Sequence, residues 1–372
     1  MHALAQRLPE DHVLEVHAAA PIKSVVATAP EFPGSVRLVR HETGYRPGAG
    51  RAALVRAWLC YARQVRRSIG NDVCGVVASS SRMANAVLGA RISARAGCDF
   101  YLDLRDIFSE AFADVYRGRA MAALSPLFAW LEKRAVRSVR GVNVVSPGFA
   151  GFVQASGSKL KPSMVPNGID AVFSAARWQG LPAEPRRRLL YAGNIGDGQA
   201  LDQVLPALAR HLPDWQIDVI GDGGREALLR QALARASVSN VVVLPPVSRD
   251  ALIAHYNRAD ALFLHLADLP AFERVLPSKL FEYAASQRPI LAGVNGVAKA
   301  FIDEHLEGVC CFSPGNAFEA AEGLRSLNLQ LYPRSEFVAR FNREALMDEL
   351  SCQILADLGL ARLPTTAGQA SG

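Results

Sequence analysis

The sequence predicts two α/β domains, each built on a doubly wound parallel sheet. The chain has 372 residues, which is more than one hydrophobic core usually supports, so two domains of about 170–200 residues are expected. From residue 72 onward, short apolar segments alternate with amphipathic segments of helical period. This alternation is typical of parallel sheets, in which a helix connects each strand to the next.

The first half of the chain contains both kinds of segment. Apolar and β-branched residues mark the strands, and apolar residues at helical spacing mark the helices. Strands are expected at 12–18, 73–78, 100–104 and 142–146, and helices at 2–8, 51–69 and 119–139.

A polar stretch rich in Pro and Arg, residues 174–188, is the predicted domain boundary. We therefore expect a first domain at 1–172 and a second at 186–330. The helical stretch 332–357 follows the second sheet and is expected to pack back on the first domain. Residues 363–372 are predicted to form a disordered tail.

The second half shows the alternation more clearly. Its strands are expected at 189–193, 215–221, 240–245, 261–266, 289–293 and 308–312. Its helices are expected at 199–211, 224–236, 248–258, 277–286, 296–304 and 316–326. In two such domains, ligands bind at the carboxyl ends of the strands, so an active site is expected in the cleft between the domains.

Composition narrows the function classes. No apolar run is long enough to span a bilayer, and the N-terminus lacks a secretion signal. The six cysteines have no metal-binding spacing and are typical of buried thiols in a reducing compartment, so we expect a cytoplasmic protein and no metal site. Residues 1–170 carry 22 Lys and Arg against 13 Asp and Glu, whereas the remainder carries 19 against 22. The basic half is expected to face an anionic partner, but no nucleic-acid-binding motif is present.

Three loops of the second half are expected to meet at the carboxyl edge of its sheet. The segments YAGNIGDGQ (191–199) and GDGGRE (221–226) place glycines after strands, where backbone N–H groups can approach a phosphate. The third, PSK at 277–279, begins a helix and places Lys279 beside its unpaired N–H groups. Glu282 follows one turn later and could bind sugar hydroxyls. Together these features predict a nucleotide-sugar site, although a capped surface helix and ordinary glycine turns are the alternative.

Residues 189–315 resemble the donor-binding domain of the family 4 retaining glycosyltransferases, which have the two-domain GT-B fold. The motifs that carry the resemblance are YAGNIG, VIGDG, VVLPPVS, HYNRADALFLHL and LPSKLFEYAASQRPILAG. The first half agrees through DLRDIFSE (103–110), VVSPGF (144–149) and VPNGID (165–170). Within the family, the chain is similar to bacterial O-antigen and capsule transferases, including transferases of amino sugars such as N-acetylfucosamine.

The resemblance implies a uridine nucleotide site without a metal or other cofactor. Glu282 would bind the ribose hydroxyls, and Ser278 and Lys279 would meet the diphosphate. The base would lie against Pro246 and Val247. Backbone groups of the two glycine loops would assist at Gly193, Asn194, Gly196, Gly221 and Gly223.

Two positions depart from the family pattern. Many members have an Arg and a Lys in the first loop, where this chain has Asn194 and Gln199. The usual pair of glutamates is also broken, because Arg274 stands eight residues before Glu282 and Glu273 is displaced by one. Since a diphosphate requires charge compensation, Lys279 and Arg274 are expected to supply it.

In the first domain, Asp103, Arg105 and Asp106 follow a strand that should end at the cleft. Arg105 and Asp106 are candidates for contact with the sugar or the acceptor. The alternative is that these two residues only pair with each other or cap the next segment. Asn167 and Gly168 are expected to form a structural turn, and His265 is expected to be a packed core residue.

The predicted helix 51–69 carries an apolar stripe that includes Trp58, flanked by arginines. The stripe is expected to pack on the sheet, or else to dock the protein on the inner membrane face. A GT-B first domain normally opens with a strand and a Gly-rich turn. This sequence begins at the following helix, so the first sheet is expected to lack its opening strand.

The combined prediction is a glycosyltransferase that moves a sugar, of the N-acetylated amino-sugar type, from a UDP-sugar to a lipid-linked saccharide with retention. The acceptor would be linked to polyprenyl diphosphate or to lipid A–core, and the pathway would be O-antigen or capsule synthesis. Lys279, Arg274, Asp106 and Arg105 are the predicted catalytic residues. Two alternatives remain open: a nucleotide-sugar epimerase of the same fold, and a truncated, non-catalytic UDP-binding homologue.

Overall fold

The computed structural model describes residues 2–20, 35–44, 50–70, 72–80, 82–181 and 186–361. The predicted tail at 363–372 lies outside these residues. Within them, no helix is both long and apolar enough to cross a membrane.

The first domain is built on parallel strands in two hydrogen-bonded groups. β1 pairs with β2, and the second group has the order β3-β4-β5-β6. Among the described residues β1 and β3 share no backbone ladder. The strands β1 to β6 cover Leu14–Ala19, Val36–His41, Gly75–Ser79, Asp99–Leu104, Gly141–Val144 and Ser163–Met164.

Helices cover both faces of the first sheet. The helices α1 to α7 cover His2–Arg7, Gly50–Ser68, Met83–Ala96, Phe108–Val115, Ser125–Arg137, Ala150–Ala155 and Ala171–Ser174. Phe100, Leu102 and Leu104 point to one face of the sheet, where they pack with α3, α5 and α6. Tyr101 points to the other face and packs with α1 and with the C-terminal helix at Arg343–Asp357. Short 3-10 helices cover Ala120–Leu124 and Pro147–Phe149.

The second domain has one parallel sheet of order β12-β11-β10-β7-β8-β9. Counted from β7, this is the 3-2-1-4-5-6 order of a doubly wound nucleotide-binding sheet. Its strands β7 to β12 cover Arg187–Ala192, Trp215–Ile220, Val241–Leu244, Ala261–His265, Ile290–Gly293 and Val309–Phe312. Its helices α8 to α13 cover Leu201–His211, Glu226–Arg235, Arg249–Arg258, Ser278–Ala285, Gly296–His305 and Ala317–Ser326, and a 3-10 helix covers Pro270–Arg274.

Two predicted helices are broken in the structure. The helix expected at 332–357 is two helices, α14 (Ser335–Arg340) and α15 (Arg343–Asp357), because Asn342 leaves the helical path and accepts a capping hydrogen bond from the Ala345 N–H. The helix expected at 119–139 is a 3-10 turn followed by α5, whose first turn contains Pro126. Both breaks occur at residues that favour the start of a new helix, Asn342 and Pro126. The spacing of apolar residues does not reveal such positions.

The C-terminal helices connect the domains. Phe337 of α14 packs on Phe281 of the second domain, whereas Ile354 and Leu355 of α15 pack with Tyr101 of the first. At the crossing point, Ile169 N–H donates to the Phe341 carbonyl over 2.7 Å. The chain therefore crosses from the second domain back to the first beside the linker.

Candidate active site

The two glycine loops of the second domain pack directly on each other. Gly193 N–H donates to the Ile220 carbonyl and Ile195 N–H to the Asp222 carbonyl, over 2.9 and 2.8 Å. Gly221 has a φ of 152°, and a side chain there would come within 1.8 Å of the Gly193 carbonyl oxygen. The close approach of the two backbones therefore requires glycine at 221, before any ligand is considered.

The tip of the first loop is closed by its own side chains. Asn194 Nδ2 donates to Gln199 Oε1 over 2.9 Å, across Gly196. Beneath the loop, the buried Tyr191 hydroxyl donates to the Asn194 carbonyl over 2.5 Å, and burial raises the pKa of Tyr191. These contacts fix the tip of the loop, where the side chains of Asn194 and Gln199 are uncharged.

The first turn of α11 brings the predicted cation and the predicted carboxylate together. Lys279 Nζ lies 2.8 Å from Glu282 Oε2, and the side chains are only 24% and 20% exposed. No side chain caps the N-terminus of α11, and Ser278, its first residue, is exposed. Lys279 also reaches the first glycine loop, because its Cε lies 3.6 Å from the position of a Cβ at Gly193. A cation, free helix N–H groups and a glycine loop therefore meet at one point, where an anion is favoured.

Buried tyrosines lie behind Glu282. Tyr283 accepts a hydrogen bond from the Ala192 N–H over 2.9 Å and so ties α11 to the end of β7. Burial, followed by the charges of Tyr283 and Glu282, raises the pKa of Tyr256 well above its ordinary value. Both hydroxyls therefore stay protonated, and α11 is held rigidly against the sheet edge.

His265 is a core residue, as expected. Its side chain is buried and stacks between Phe263 and Phe312. Nδ1 lies 2.7 Å from the Gln199 carbonyl, and Nε2 accepts the Gly315 N–H over 2.9 Å. These partners require a neutral ring with its proton on Nδ1, and burial lowers the pKa of His265.

In the first domain, Arg105 pairs with Asp103 and not with Asp106, so the predicted alternative pairing is wrong. Arg105 Nη1 donates to Asp103 Oδ2 over 3.0 Å, and Nη2 donates to the Asn167 side-chain oxygen. The buried Asp103 also accepts from Asn143 Nδ2 over 2.8 Å. Asn143 and Asn167 thus complete a hydrogen-bonded network around the pair of Arg105 and Asp103.

Asp106 is exposed at the start of α4, yet enough protein surrounds it that loss of hydration raises its pKa. Beneath it lies Glu132, a residue of this site that the sequence did not predict. Glu132 is 1% exposed and accepts from the N–H groups of Phe108 and Ser109 over 3.0 and 3.1 Å. Burial raises the pKa of Glu132, and the charge of Asp106 raises it further. The sequence signal for this role is the N-cap position of α4. Ile107 stands there and has no side-chain acceptor for the first N–H groups of the helix, so another residue must supply one.

The 3-10 segment before α11 also contacts the first domain. Arg274 Nη1 donates to Glu110 Oε1 of the first domain over 2.8 Å, and its carbonyl accepts from Ser146. Ala271 N–H donates to Asp114 of the first domain over 2.8 Å. Arg274, predicted to bind the diphosphate, is thus engaged across the cleft in this structure. Its neighbour Glu273 is exposed, as is Val247, where the base was predicted.

The second domain matches a known family. Residues 172–342 match the family model described as Glycosyl transferases group 1. The chain is also similar to WcaI of Escherichia coli (strain K12), which is assigned to colanic acid biosynthesis as a glycosyl transferase. The identity is 32% over 187 residues, covering 48% of this chain and 44% of WcaI. The alignment therefore spans less than half of that relative.

Solved structures of similar fold cover most of the chain. HepE of Anabaena, in complex with UDP and glucose, has a TM-score of 0.62 at 15% identity, over 87% of this chain and 86% of HepE. The apo lipopolysaccharide outer core galactosyltransferase WaaB has a TM-score of 0.53 at 13% identity, over 87% and 85%. At these identities the likeness concerns the fold alone, and the chain has the GT-B fold of two Rossmann-like domains.

Proposed function

We propose that this chain is a retaining glycosyltransferase of family 4 that moves an N-acetylated amino sugar from a UDP-sugar to a lipid-linked saccharide in O-antigen or capsule synthesis. The observation that carries the proposal is the site at α11, where Lys279, Glu282 and the Gly193 loop converge. That site lies inside the segment that matches the Glycosyl transferases group 1 family.

The relatives support a UDP-sugar and a surface polysaccharide. HepE was solved with UDP, WaaB is a lipopolysaccharide galactosyltransferase, and WcaI is assigned to colanic acid synthesis. The retaining chemistry and the amino-sugar donor rest on the resemblance of the motifs in the second domain.

In this proposal the donor is held along the carboxyl edge of the second sheet. Glu282 accepts hydrogen bonds from the ribose hydroxyls, and Val247 contacts the uracil. The diphosphate lies at the N-terminus of α11, against Ser278 and Lys279, with backbone groups at Gly193, Asn194, Gly196, Gly221 and Gly223.

Bond cleavage places developing negative charge on the diphosphate. In this proposal the N–H groups of α11 and the Lys279 ammonium face that position, so they stabilise the departing group. With retention, a phosphate oxygen of the leaving group takes the proton of the attacking acceptor hydroxyl. Lys279 is therefore the residue on which turnover depends most.

The acceptor side is formed by the strand-end residues of the first domain. Arg105 is held by Asp103 and Asn167, so its guanidinium has a fixed direction. In this proposal the exposed Asp106 carboxylate accepts a hydrogen bond from a sugar hydroxyl. Arg274 can add positive charge to the diphosphate only if its pair with Glu110 opens.

A lipid-linked acceptor is supported by one surface of the first domain, here called the α5 face. It consists of Leu124, Leu127 and Trp130, which are 43%, 50% and 55% exposed and follow one another at helical spacing. Arg134 lies over the Trp130 ring, 5.7 Å from its centre. Between residues 116 and 140 the only acidic residue, Glu132, is buried, while the basic residues are Arg117, Arg119, Lys133, Arg134, Arg137 and Arg140.

An apolar stripe among cations suits an anionic bilayer surface. The α5 face therefore supports docking on the cytoplasmic face of the inner membrane, where a polyprenyl-diphosphate or lipid A–core acceptor is presented. The stripe of α2 gives less support, because Trp58, Ala62, Val65 and Ile69 pack inward with Leu88 and Ile92 of α3.

Calorimetric titration with UDP tests the donor site. Glu282→Ala should weaken UDP binding about 10- to 100-fold, as expected for loss of hydrogen bonds to a charged group. Glu322→Ala is the matched control, because Glu322 is an exposed helical glutamate of the same domain that also pairs with a basic side chain. Unchanged UDP affinity in Glu282→Ala would show that Glu282 does not bind the ribose.

Product analysis separates the alternatives. A transferase releases UDP from a UDP-amino sugar only when a lipid-linked acceptor is present and changes that acceptor. An epimerase forms a new UDP-sugar without acceptor, and a non-catalytic homologue binds UDP without turnover. Incubation of the same preparation with UDP-N-acetylglucosamine, with and without acceptor, distinguishes the three.

A further inference from the structure

Glu132 of α5 is a buried carboxylate that the proposed reaction does not use. Within the described residues it is the only glutamate whose side chain is buried, at 1% exposure. No cation of this part of the chain pairs with it, and its hydrogen bonds all come from α4. A buried carboxylate is costly unless hydrogen bonds compensate for its lost hydration. The contact with α4 is therefore the physical reason for a carboxylate at this position.

The N-terminus of α4 depends on Glu132. α4 has eight residues, and helices of this length are not stable in isolation. Its N-cap residue, Ile107, offers no side-chain acceptor to the first N–H groups. Glu132 Oε1 accepts the Phe108 N–H over 3.0 Å, and Oε2 accepts the Ser109 N–H over 3.1 Å and the Ser109 hydroxyl over 2.5 Å. A carboxylate from α5 thus replaces the missing cap of α4.

A second contact between α5 and α4 is aromatic. Phe128 lies four residues before Glu132 and therefore on the same face of α5. Its ring packs edge-on against Phe108 and Phe112, with ring centres 5.4 and 4.9 Å apart. Apolar packing is non-directional, whereas hydrogen bonds depend strongly on angle. Phe128 therefore keeps α4 close to α5, and Glu132 fixes the direction in which α4 points.

Two carboxylates of α4 contact the second domain. Glu110 Oε1 accepts from Arg274 Nη1, and Asp114 Oδ2 accepts from the Ala271 N–H, both over 2.8 Å. The two carboxylates are four residues apart and lie on one face of the helix. Both of their partners belong to the 3-10 helix Pro270–Arg274. Both contacts therefore depend on the orientation of α4.

The 3-10 helix connects this contact to the candidate site. Only residues 275–277 separate it from α11, which carries Lys279 in its first turn. Val275 also packs against the first-domain cluster that contains Ile107, the N-cap residue of α4. The start of α4 and the start of α11 are thus linked through a few packed residues.

We propose that Glu132 is a positioning residue for the contact between the domains. It fixes α4 so that Glu110 and Asp114 meet the 3-10 helix that leads into α11. Loss of this carboxylate should loosen the contact, although its own hydrogen-bond partners all lie in the first domain. The contact is a property of the fold, whereas any effect of Glu132 on sugar transfer rests on the proposed function.

Amide hydrogen exchange at single residues tests the proposal. In Glu132→Gln, one carboxylate oxygen is replaced by an NH2 donor of similar size, which cannot accept the hydrogen bonds of α4. We expect exchange at Ser109 and at Ala271 to become at least tenfold faster. Exchange at Gly193, whose N–H donates within the second domain, should be unchanged. Asp114→Ala removes the acceptor of the Ala271 N–H and sets the largest effect expected there.

Leu88→Ala is the matched control for a general loss of stability. Leu88 is a buried residue of α3, and its apolar cluster includes no residue of α4. Its truncation weakens the first domain by leaving a cavity, but exchange at Ala271 should be unchanged. Equal acceleration at Ala271 in Leu88→Ala and Glu132→Gln would overturn the proposal. Acceleration at Ser109 alone in Glu132→Gln would overturn it too, since Glu132 would then cap α4 without positioning the contact.

Kinetics of combined variants test the same step in turnover, and this part rests on the proposed function. Glu132→Gln should lower kcat/KM about tenfold, but less than twofold when Glu110→Ala and Asp114→Ala are already present. Additive effects would contradict action through α4. If the unaltered protein does not turn over UDP-sugars while Ala271 still responds to Glu132→Gln, the proposed function fails and the positioning role stands.

Discussion

Lys279 and Glu282 form an ion pair of 2.8 Å across the first turn of α11, with both side chains mostly buried at the sheet edge. The residue expected to meet the diphosphate and the residue expected to meet the ribose therefore hold each other in place. A nucleotide that binds here supplies a second anion to the lysine and hydroxyl donors to the carboxylate. The pair thus orients both groups before the ligand arrives.

Replacement of Lys279 tests its role in the departure of the diphosphate. In Lys279→Ala we expect kcat to fall about 100- to 1000-fold, because an oriented charge is removed from the leaving group. The free energy of unfolding should change by less than about 1 kcal/mol, as for other helical ion pairs one turn apart. Steady-state kinetics and urea denaturation measure the two quantities.

The matched control is Lys299→Ala. Lys299 forms a comparable pair with Asp303 on α12 but is half exposed. The Lys299→Ala substitution should leave kcat unchanged. Equal kinetic effects of the two substitutions would show that Lys279 has no special part in the reaction.

Variants of Arg274 and Glu110 separate the role of this pair in joining the domains from a role of Arg274 in the reaction. If Arg274 also reaches the diphosphate, Arg274→Ala should lower kcat/KM at least tenfold more than Glu110→Ala, since only the arginine would touch the donor. If the pair serves only to join the domains, the single variants and the double variant should be equally impaired. Kinetics of the three variants decide between these roles.

The sequence predicted the strands and helices of the second domain and the convergence of its loops, because the apolar period and the strand-end glycines depend on local chemistry. It did not predict that Arg274 contacts Glu110, since these residues are far apart in sequence and the distance between domains is set by tertiary packing. Glu132 was missed for the same reason: a buried carboxylate on an amphipathic helix looks like a surface residue until the uncapped end of α4 is placed beside it. The pairing of Arg105 with Asp103 was not predicted either, because it depends on where the fold places Asn143 and Asn167.

His265 should make stability depend on pH. Its folded pKa is lowered by burial, so below about pH 6.5 the unfolded chain binds a proton that the folded chain does not. This contribution to stability is complete above that pH and is lost as the pH falls toward the folded pKa. Between pH 7.5 and 5.5 we expect it to account for about 1 kcal/mol.

Urea denaturation of His265→Gln at both pH values measures this contribution. The variant should be less stable at pH 7.5 but should lose about 1 kcal/mol less than the unaltered protein on acidification. His211→Gln, at an exposed position, is the control and should follow the unaltered protein. An identical pH dependence for all three proteins would contradict the neutral, buried assignment.

The α5 face should bind anionic membranes. Leu127→Ser combined with Trp130→Ser removes the most exposed apolar side chains of that face, and we expect binding to vesicles of phosphatidylcholine and phosphatidylglycerol to weaken at least tenfold. Binding of UDP should be unchanged, because the donor site lies in the other domain. Co-sedimentation with vesicles, with and without phosphatidylglycerol, measures the effect and its dependence on charge.

Two controls locate the membrane contact. Leu228→Ser removes an apolar side chain that is 47% exposed in the second domain and should have no effect on vesicle binding. Val55→Ser combined with Leu59→Ser removes exposed apolar residues of α2, which are 59% and 44% exposed. If the α2 variant loses vesicle binding while the α5 variant retains it, the docking surface is α2. We expect the opposite result, in which the α5 variant loses vesicle binding and the α2 variant retains it, because the inward side of α2 packs on α3.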